Sequence, residues 1–146
     1  MSPRHTGMET AHEVRDLMTE VVEVARPGDS LAEVRERMEE HRCRHMPVVD
    51  GEGDLVGLVT HRDLLRYALI EQPEVPRFVE TALLERLTVG DVMVREVETV
   101  DPGAELRQAA QTMIENKFGC LPVVEGRRLV GILTESDFVR RVAQGA

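Results

Sequence analysis

The sequence predicts a mixed α/β fold made of two similar units, each a small three-stranded sheet with flanking helices, packed sheet to sheet. Two observations lead to this prediction. The stretch 14–66 recurs at 89–140 in nearly constant register, which is typical of an internal duplication. Aromatic residues make up only 3% of the chain and Trp is absent, so the core must be built from Val, Leu, Ile and Met. A single copy is too short to bury its own sheet, whereas two copies can bury theirs together.

The two copies align residue by residue. The register is constant up to the Gly51/Gly126 pair, and one residue is then missing from the second copy. The matched pairs include Asp16/Asp91, Met18/Met93, Pro27/Pro102, Gly28/Gly103, Met38/Met113, Pro47/Pro122, Gly57/Gly131, Thr60/Thr134 and Asp63/Asp137. We therefore expect a flexible arm at 1–12, repeat 1 at 13–66, a helical connector at 67–88 and repeat 2 at 89–146.

Each copy opens with a short turn or helix, followed by a strand and a helix. The stretches "EVVEV" and "EVETV" alternate like half-buried strands and are each followed by Pro-Gly. Ser30 and Glu33 form a capping-box pattern at the start of the first main helix. The face of that helix predicted to pack inward carries Leu31, Val34 and Met38, and its counterpart carries Leu106, Ala109, Ala110, Met113 and Ile114.

A β-hairpin and a final helix complete each copy. "MPVVD" and "LPVVE" are short apolar strands, and a tight turn leads from each into "LVGLVT" or "LVGILT". The helices "HRDLLRYAL" and "ESDFVRRVA" begin directly after the Thr of the second strand. In the connector, Pro73 and Pro76 interrupt the helix before "RFVETALLERL".

Composition and charge exclude several classes of function. The net charge is −9 and no basic run is present, which argues against a nucleic-acid partner. No apolar stretch reaches the length of a membrane-spanning helix. Two cysteines do not make a disulfide framework, so we expect a cytoplasmic protein.

The segments Gly57–Asp63 and Gly131–Asp137 carry the chemistry. A glycine inside a strand indicates close approach by another group. The Thr stands where strand becomes helix, so its hydroxyl and the first N–H groups of the helix could hold a phosphate. The Asp lies one turn further on and could accept both hydroxyls of a ribose. The alternative interpretation is a helix N-cap with an acidic first turn, and the second copy favours the ligand interpretation.

The pattern Pro-Val-Val-acidic, turn, apolar-Gly-apolar-apolar-Thr-x-x-Asp resembles the cystathionine β-synthase (CBS) domain, and two in tandem resemble a CBS pair, or Bateman module. The resemblance covers residues 14–141. It implies a sensor rather than an enzyme, with no catalytic residues. It also implies binding of AMP, ADP, ATP, NAD or S-adenosylmethionine in clefts between the repeats, and a homodimer. With the pair filling the chain, we expect it to act in trans on an unidentified protein target.

The resemblance also implies roles for particular residues. Asp63 and Asp137 would bind ribose, and Thr60 and Thr134 would hold phosphate. The adenine would be bordered by His45, Met46, Pro47, Cys120, Leu121 and Pro122, with Val22 and Val97 as the opposite wall. His61 and Arg62 could reach phosphates, whereas their counterparts Glu135 and Ser136 offer no positive charge. We therefore expect the cleft with Arg62 to prefer a more charged nucleotide.

Two other functions stay open at this point. His41, Cys43 and His45 are donor types that zinc accepts, which would make a metal or redox sensor. However, the second copy has Asn116, Phe118 and Cys120 in their places. Phe118 indicates an inward-facing apolar position, so Cys43 is predicted to pack there and no metal is expected. The other possibility is a CBS-fold interaction module that has lost its ligand.

Overall fold

A computed structural model describes residues 12–20, 22–69 and 76–145. Except for His12, the predicted arm lies outside the described residues, as does Pro73. The chain divides into two compact units. The central unit holds residues 23–97, and the terminal unit joins the described residues before Glu23 to those from Glu98 onward.

The central unit is a two-stranded antiparallel sheet with helices. Its helices are α1 (Leu31–His41), α2 (His61–Leu69), α3 (Arg77–Glu85) and α4 (Val89–Val92), and its strands are β1 (His45–Val49) and β2 (Leu55–Thr60). The core consists of aliphatic residues and methionines, among them Leu31, Val34, Met38, Met46, Val59 and Leu84. This confirms the predicted hairpin, and α2 begins directly after Thr60 as expected.

The terminal unit repeats this arrangement. It contains a short 3-10 helix (Val14–Asp16), α5 (Leu106–Asn116), the antiparallel strands β3 (Cys120–Glu125) and β4 (Arg128–Thr134), and α6 (Glu135–Ala143). Val14, Leu106, Ala109, Met113, Leu121, Val123 and Leu133 form its core. The mixed α/β class predicted from the duplication is thereby confirmed.

The packing units divide the chain differently from the sequence repeats. Thr19, in the opening segment of the first repeat, exchanges two 2.9 Å backbone hydrogen bonds with Ile132 of the terminal unit. Val94, in the opening segment of the second repeat, exchanges the same pair with Leu58 of the central unit. Each opening segment thus completes the sheet that the other repeat supplies.

The predicted third strand is reduced to a single bridge in each unit. Ala25 pairs in parallel with Val48, and Val100 pairs with Val123, whereas "EVVEV" forms no ladder among its described residues. Pairing stops early because Pro27 and Pro102 follow within two residues and lack the N–H that would extend it. The expectation of three full strands was therefore wrong, and two-stranded sheets with single-residue bridges take their place.

The helix faces follow the predicted pattern with one exception. Ser30 Oγ accepts a hydrogen bond from the Glu33 N–H at 3.1 Å, which confirms the Ser30 half of the predicted capping box, but the Ser30 N–H does not bond to the Glu33 side chain. Leu31, Val34 and Met38 are buried on α1. Ile114 on α5, which we expected to pack inward, is 71% exposed. It lies about 100° around the helix from its buried neighbour Met113, which takes it off the buried stripe.

Candidate functional site

Gly57 and Gly131 lie where another segment of the chain comes very close to the strand, as the sequence predicted. A Cβ on Gly57 would lie 2.6 Å from Met93 Sδ and 3.0 Å from the Val94 carbonyl oxygen. On Gly131 it would lie 2.9 Å from both Met18 Sδ and the Thr19 carbonyl oxygen. The approaching group is therefore the opening segment of the other repeat.

Thr60 and Asp63 form a reciprocal pair at the start of α2. Asp63 Oδ2 accepts hydrogen bonds from the Thr60 N–H at 2.9 Å and from Thr60 Oγ1 at 3.0 Å. In return, the Asp63 N–H donates to Thr60 Oγ1 at 3.2 Å. Both residues are half-buried. No hydrogen bond to Asp63 Oδ1 is formed by any described residue, so this oxygen has no partner among them.

Thr134 and Asp137 repeat the pair at the start of α6. Asp137 Oδ2 accepts from the Thr134 N–H at 2.8 Å and from Thr134 Oγ1 at 3.2 Å. Its other oxygen, Oδ1, accepts from Thr19 Oγ1 at 2.9 Å and from Arg140 at 3.0 Å. The side chain is only 4% exposed. Both carboxylate oxygens of Asp137 therefore already have partners in the chain.

The Thr-x-x-Asp geometry also occurs where no ligand role was expected. At the start of α4, Asp91 Oδ2 accepts from the Thr88 N–H at 3.1 Å and from Thr88 Oγ1 at 2.9 Å. These bonds lower the pKa of the Asp91 carboxyl, chiefly through the Thr88 N–H. Thr60 and Thr134 do cap their helices, as the alternative interpretation held, and the similar pair at Thr88 means that the geometry alone does not identify a ligand site.

Several of the N–H groups that we expected to hold phosphate have partners within the chain. The Thr60 and Asp63 N–H groups donate within their pair, and the His61 N–H donates to the Arg44 carbonyl at 2.8 Å. The Glu135 N–H likewise donates to the Gly119 carbonyl at 3.2 Å. Phosphate recognition at α2 would therefore fall mainly to the side chains of His61 and Arg62. Arg62 is exposed and His61 is half-buried.

The expected adenine-pocket residues fall into two groups. His45 lies opposite Thr60 in the β1–β2 ladder, and Cys120 lies opposite Thr134 in the β3–β4 ladder. Of the other strand residues in this set, two lie in the cores and two accept hydrogen bonds at the sheet edge. Met46 and Leu121 are almost fully buried, each in the core of its own unit.

The carbonyls of Pro47 and Pro122 accept hydrogen bonds from Ala25 and Val100 at 2.9 and 3.0 Å. They are therefore used by the sheet edge in this structure. Val97 and Val22 are half-buried and lie outside regular elements, Val97 in the central unit with Thr60 and Val22 in the terminal unit with Thr134.

The donor set His41, Cys43 and His45 is not assembled as a metal site. No group of three His, Cys, Asp or Glu suited to a metal ion occurs among the residues that the structure describes. His41 Nε2 instead lies 3.5 Å from a Glu23 carboxylate oxygen. Cys43 packs against the core of the central unit, and Phe118 packs against that of the terminal unit. The inward-facing position predicted from Phe118 is thereby confirmed.

We expect both thiols to be unreactive in the folded protein. Burial, reinforced by the charge of Glu23, raises the pKa of the Cys43 thiol. Burial raises the pKa of Cys120 to about 12. Since the thiolate is the nucleophile, alkylation by iodoacetamide at pH 8 should be at least about a hundredfold slower for Cys120 in native protein than in urea. Mass spectrometry of tryptic peptides measures both rates. Rapid native labelling of Cys43 would contradict this and support the redox-sensor alternative.

A cleft with a volume of about 400 Å³ lies between α1 and α3 of the central unit. Its arginines are paired with carboxylates: Arg35 with Glu80 at 2.7 Å and Arg77 with Glu39 at 2.9 Å. Since these contacts hold α3 against α1, they anchor the connector helix.

Sequence reasoning did not single out Thr19, whose hydroxyl contacts the Asp137 carboxylate. The signal available was the repeat alignment, in which Thr19 matches Val94. Where one copy has a hydroxyl and the aligned position of the other copy has an apolar side chain, the two units can form different contacts.

Within residues 12–20, 22–69 and 76–145, every helix is too short or too polar to span a lipid bilayer.

Comparison with known proteins decides the family. The model of the CBS domain matches residues 14–70 and 89–144. The chain belongs to the CBS domain family. Among curated CBS relatives, the uncharacterized protein MJ1225 of Methanocaldococcus jannaschii is 34% identical over 134 residues, which cover 89% of this chain and 47% of that protein. The chain spans 24% of a second curated relative, so it matches only a part of these longer proteins.

Two similar structures contain adenosine compounds. CBSX2 was solved in complex with AMP and is 30% identical, with a TM-score of 0.77 and coverage of 92% of this chain and 98% of that one. The CBS domain pair of protein MJ0100 was solved with 5-methylthioadenosine and S-adenosylmethionine. It is 26% identical, with a TM-score of 0.74 and the same coverage of both chains. Ligand-binding CBS pairs are thus among the proteins that this chain resembles in sequence and structure.

Proposed function

We propose that this CBS pair is a regulatory module, without catalysis of its own, that binds an adenosine-containing ligand at the Thr60–Asp63 pair. The candidate ligands are AMP, ADP, ATP, NAD and S-adenosylmethionine. The observation that carries the proposal is the open Oδ1 of Asp63 in a chain whose relatives bind adenosine compounds. A carboxylate with one oxygen fixed by Thr60 is held in position to accept hydroxyl donors with the other.

The contacts around Asp63 suit the remaining parts of such a ligand. His45 lies beside Thr60 on the neighbouring strand, where it can border the adenine. Arg62 is exposed one residue before Asp63, where its guanidinium can pair with phosphates. Glu135 and Ser136, at the matching positions of α6, offer no such charge. We therefore propose that the Thr60–Asp63 site favours ATP over adenosine compounds with fewer phosphates.

A thermal-shift panel of AMP, ATP, NAD and S-adenosylmethionine tests the proposed function. A ligand at 100 times its Kd stabilises the folded state by about 2.7 kcal/mol, which raises Tm by several degrees for a chain of this size. Guanosine monophosphate is the matched control for the base. No shift with any of the four compounds would contradict the proposal and favour an interaction module without a ligand.

The proposal extends to a homodimer that acts on a separate protein target. Val139 and Val142 on α6 are 68% and 74% exposed, and apolar surface of this kind is lost from solvent on association. Light scattering after size-exclusion chromatography, with and without the stabilising ligand, measures the mass directly. A ligand that changes the ratio of monomer to dimer would be the regulatory signal, whereas a monomer under both conditions would contradict the homodimer.

A further inference from the structure

The Asp63 and Asp137 carboxylates occupy the same place in the two repeats but have different partners. Asp137 Oδ1 is bonded to Thr19 Oγ1 at 2.9 Å and to Arg140 at 3.0 Å, while its Oδ2 is bonded to Thr134. Asp137 is only 4% exposed, and both of its carboxylate oxygens are hydrogen-bonded within the terminal unit.

The difference traces to one pair of matched residues. Thr19 bridges Ile132 on β4, and its counterpart Val94 bridges Leu58 on β2 through the same two backbone hydrogen bonds. The backbone geometry is therefore shared, but valine has no hydroxyl to donate. Among the described residues, Arg66, the counterpart of Arg140, forms no ion pair with Asp63 either.

These contacts make a ligand's hydroxyl less favourable at Asp137 than at Asp63. At Asp63 a ribose hydroxyl adds a hydrogen bond to an open oxygen. At Asp137 it would replace the bond from Thr19 and leave that half-buried hydroxyl without its partner. The Arg140 ion pair matters less, because that side chain is 57% exposed. The expected difference in affinity is about ten- to a hundredfold.

We propose that Thr19 determines which of the two Thr-x-x-Asp pairs binds the ligand. Its hydroxyl ties Asp137 to the opening segment of the chain, so Asp63 is the ribose carboxylate and each chain binds one adenosine ligand. This inference rests on the proposed function, because it assigns the site at which that function takes place.

A reciprocal exchange of the two matched residues tests the inference. Isothermal titration with AMP, ATP, NAD and S-adenosylmethionine in turn should give one site per chain for the compound that binds. Thr19→Val should leave Asp137 Oδ1 with only the exposed Arg140 as partner, and so add a second site or strengthen a weak second site at least about tenfold. Val94→Thr should place a hydroxyl next to Asp63 and weaken the first site by a similar factor. Circular dichroism and unfolding midpoints check that each variant is folded.

The outcomes separate this inference from the proposed function. Two equal sites in the unmodified protein would overturn the inference while leaving the function in place. The inference would also be overturned if neither substitution changed the number of sites or their affinity. Absence of binding by all four compounds would overturn the proposed function itself, and the inference with it. Should Thr19→Val fail to fold, Val94→Thr still decides the question, since Val94 is 47% exposed and tolerates substitution.

Discussion

Replacing Asp63 by Asn is expected to weaken binding of the adenosine ligand at least about a hundredfold. Asp63 Oδ2 is held by the Thr60 N–H and hydroxyl, which leaves Oδ1 for the ribose. In Asp63→Asn the single amide oxygen stays with Thr60, and the group facing the ribose becomes an NH₂ donor without charge. Each hydrogen bond to a charged group is worth about 1.5–3 kcal/mol, so losing two of them exceeds a hundredfold. Isothermal titration measures the change.

Asp91→Asn is the matched control for this substitution. Asp91 forms the same capping pair with Thr88 and is exposed, but it belongs to the four-residue helix α4 and has no proposed ligand. We expect it to leave the ligand's affinity unchanged. If the two substitutions change the affinity equally, the effect of Asp63→Asn comes from helix capping and not from ribose recognition.

Replacing Gly131 by Ala is expected to lower the free energy of unfolding by about 2 kcal/mol and Tm by about 4–8 °C. The new Cβ would lie 2.9 Å from the Thr19 carbonyl oxygen. That oxygen belongs to backbone and accepts the Ile132 N–H at 2.9 Å, so the opening segment must move away from β4. The movement also lengthens the contact between Thr19 and Asp137. Thermal unfolding followed by circular dichroism measures the effect.

Gly28→Ala is the control for the Gly131 substitution. A Cβ on Gly28 would meet nothing within 4 Å, so the change should be neutral or stabilise by about 0.4–1 kcal/mol through the unfolded state. Gly57→Ala should lie between the two, because Met93 Sδ, the nearest atom, is on a flexible side chain. Equal midpoints for Gly131→Ala and Gly28→Ala would contradict the packing of Thr19 on β4.

Local features of the fold could be predicted from the sequence. The hairpins and the helices after Thr60 and Thr134 depend on alternating strands, tight turns and capping residues that lie close together in the chain. The duplication predicted the mixed class because it placed the same elements twice. The prediction of a third strand was wrong because Pro27 and Pro102 limit pairing to one residue. The alternation of apolar and polar residues gives no information about that limit.

The exchange of opening segments could not be predicted, because no local pattern says which sheet edge a segment will pair with. Thr19 and Asp137 are 118 positions apart in the chain, and only the packing of Thr19 against Ile132 brings them together. The sequence placed Asp63 and Asp137 in the same role because their flanking motifs match. The difference between them comes from a third residue outside the motif.

The proposal that an adenosine compound binds at the Thr60–Asp63 pair of the central unit can be tested directly. Its most direct test is a titration of isotope-labelled protein with ATP and AMP, followed by amide chemical shifts. Saturable shifts are expected at Thr60, His61, Arg62 and Asp63, with smaller changes at Thr134 and Asp137. Shifts centred on Thr134 and Asp137, or none at either pair, would contradict the proposal.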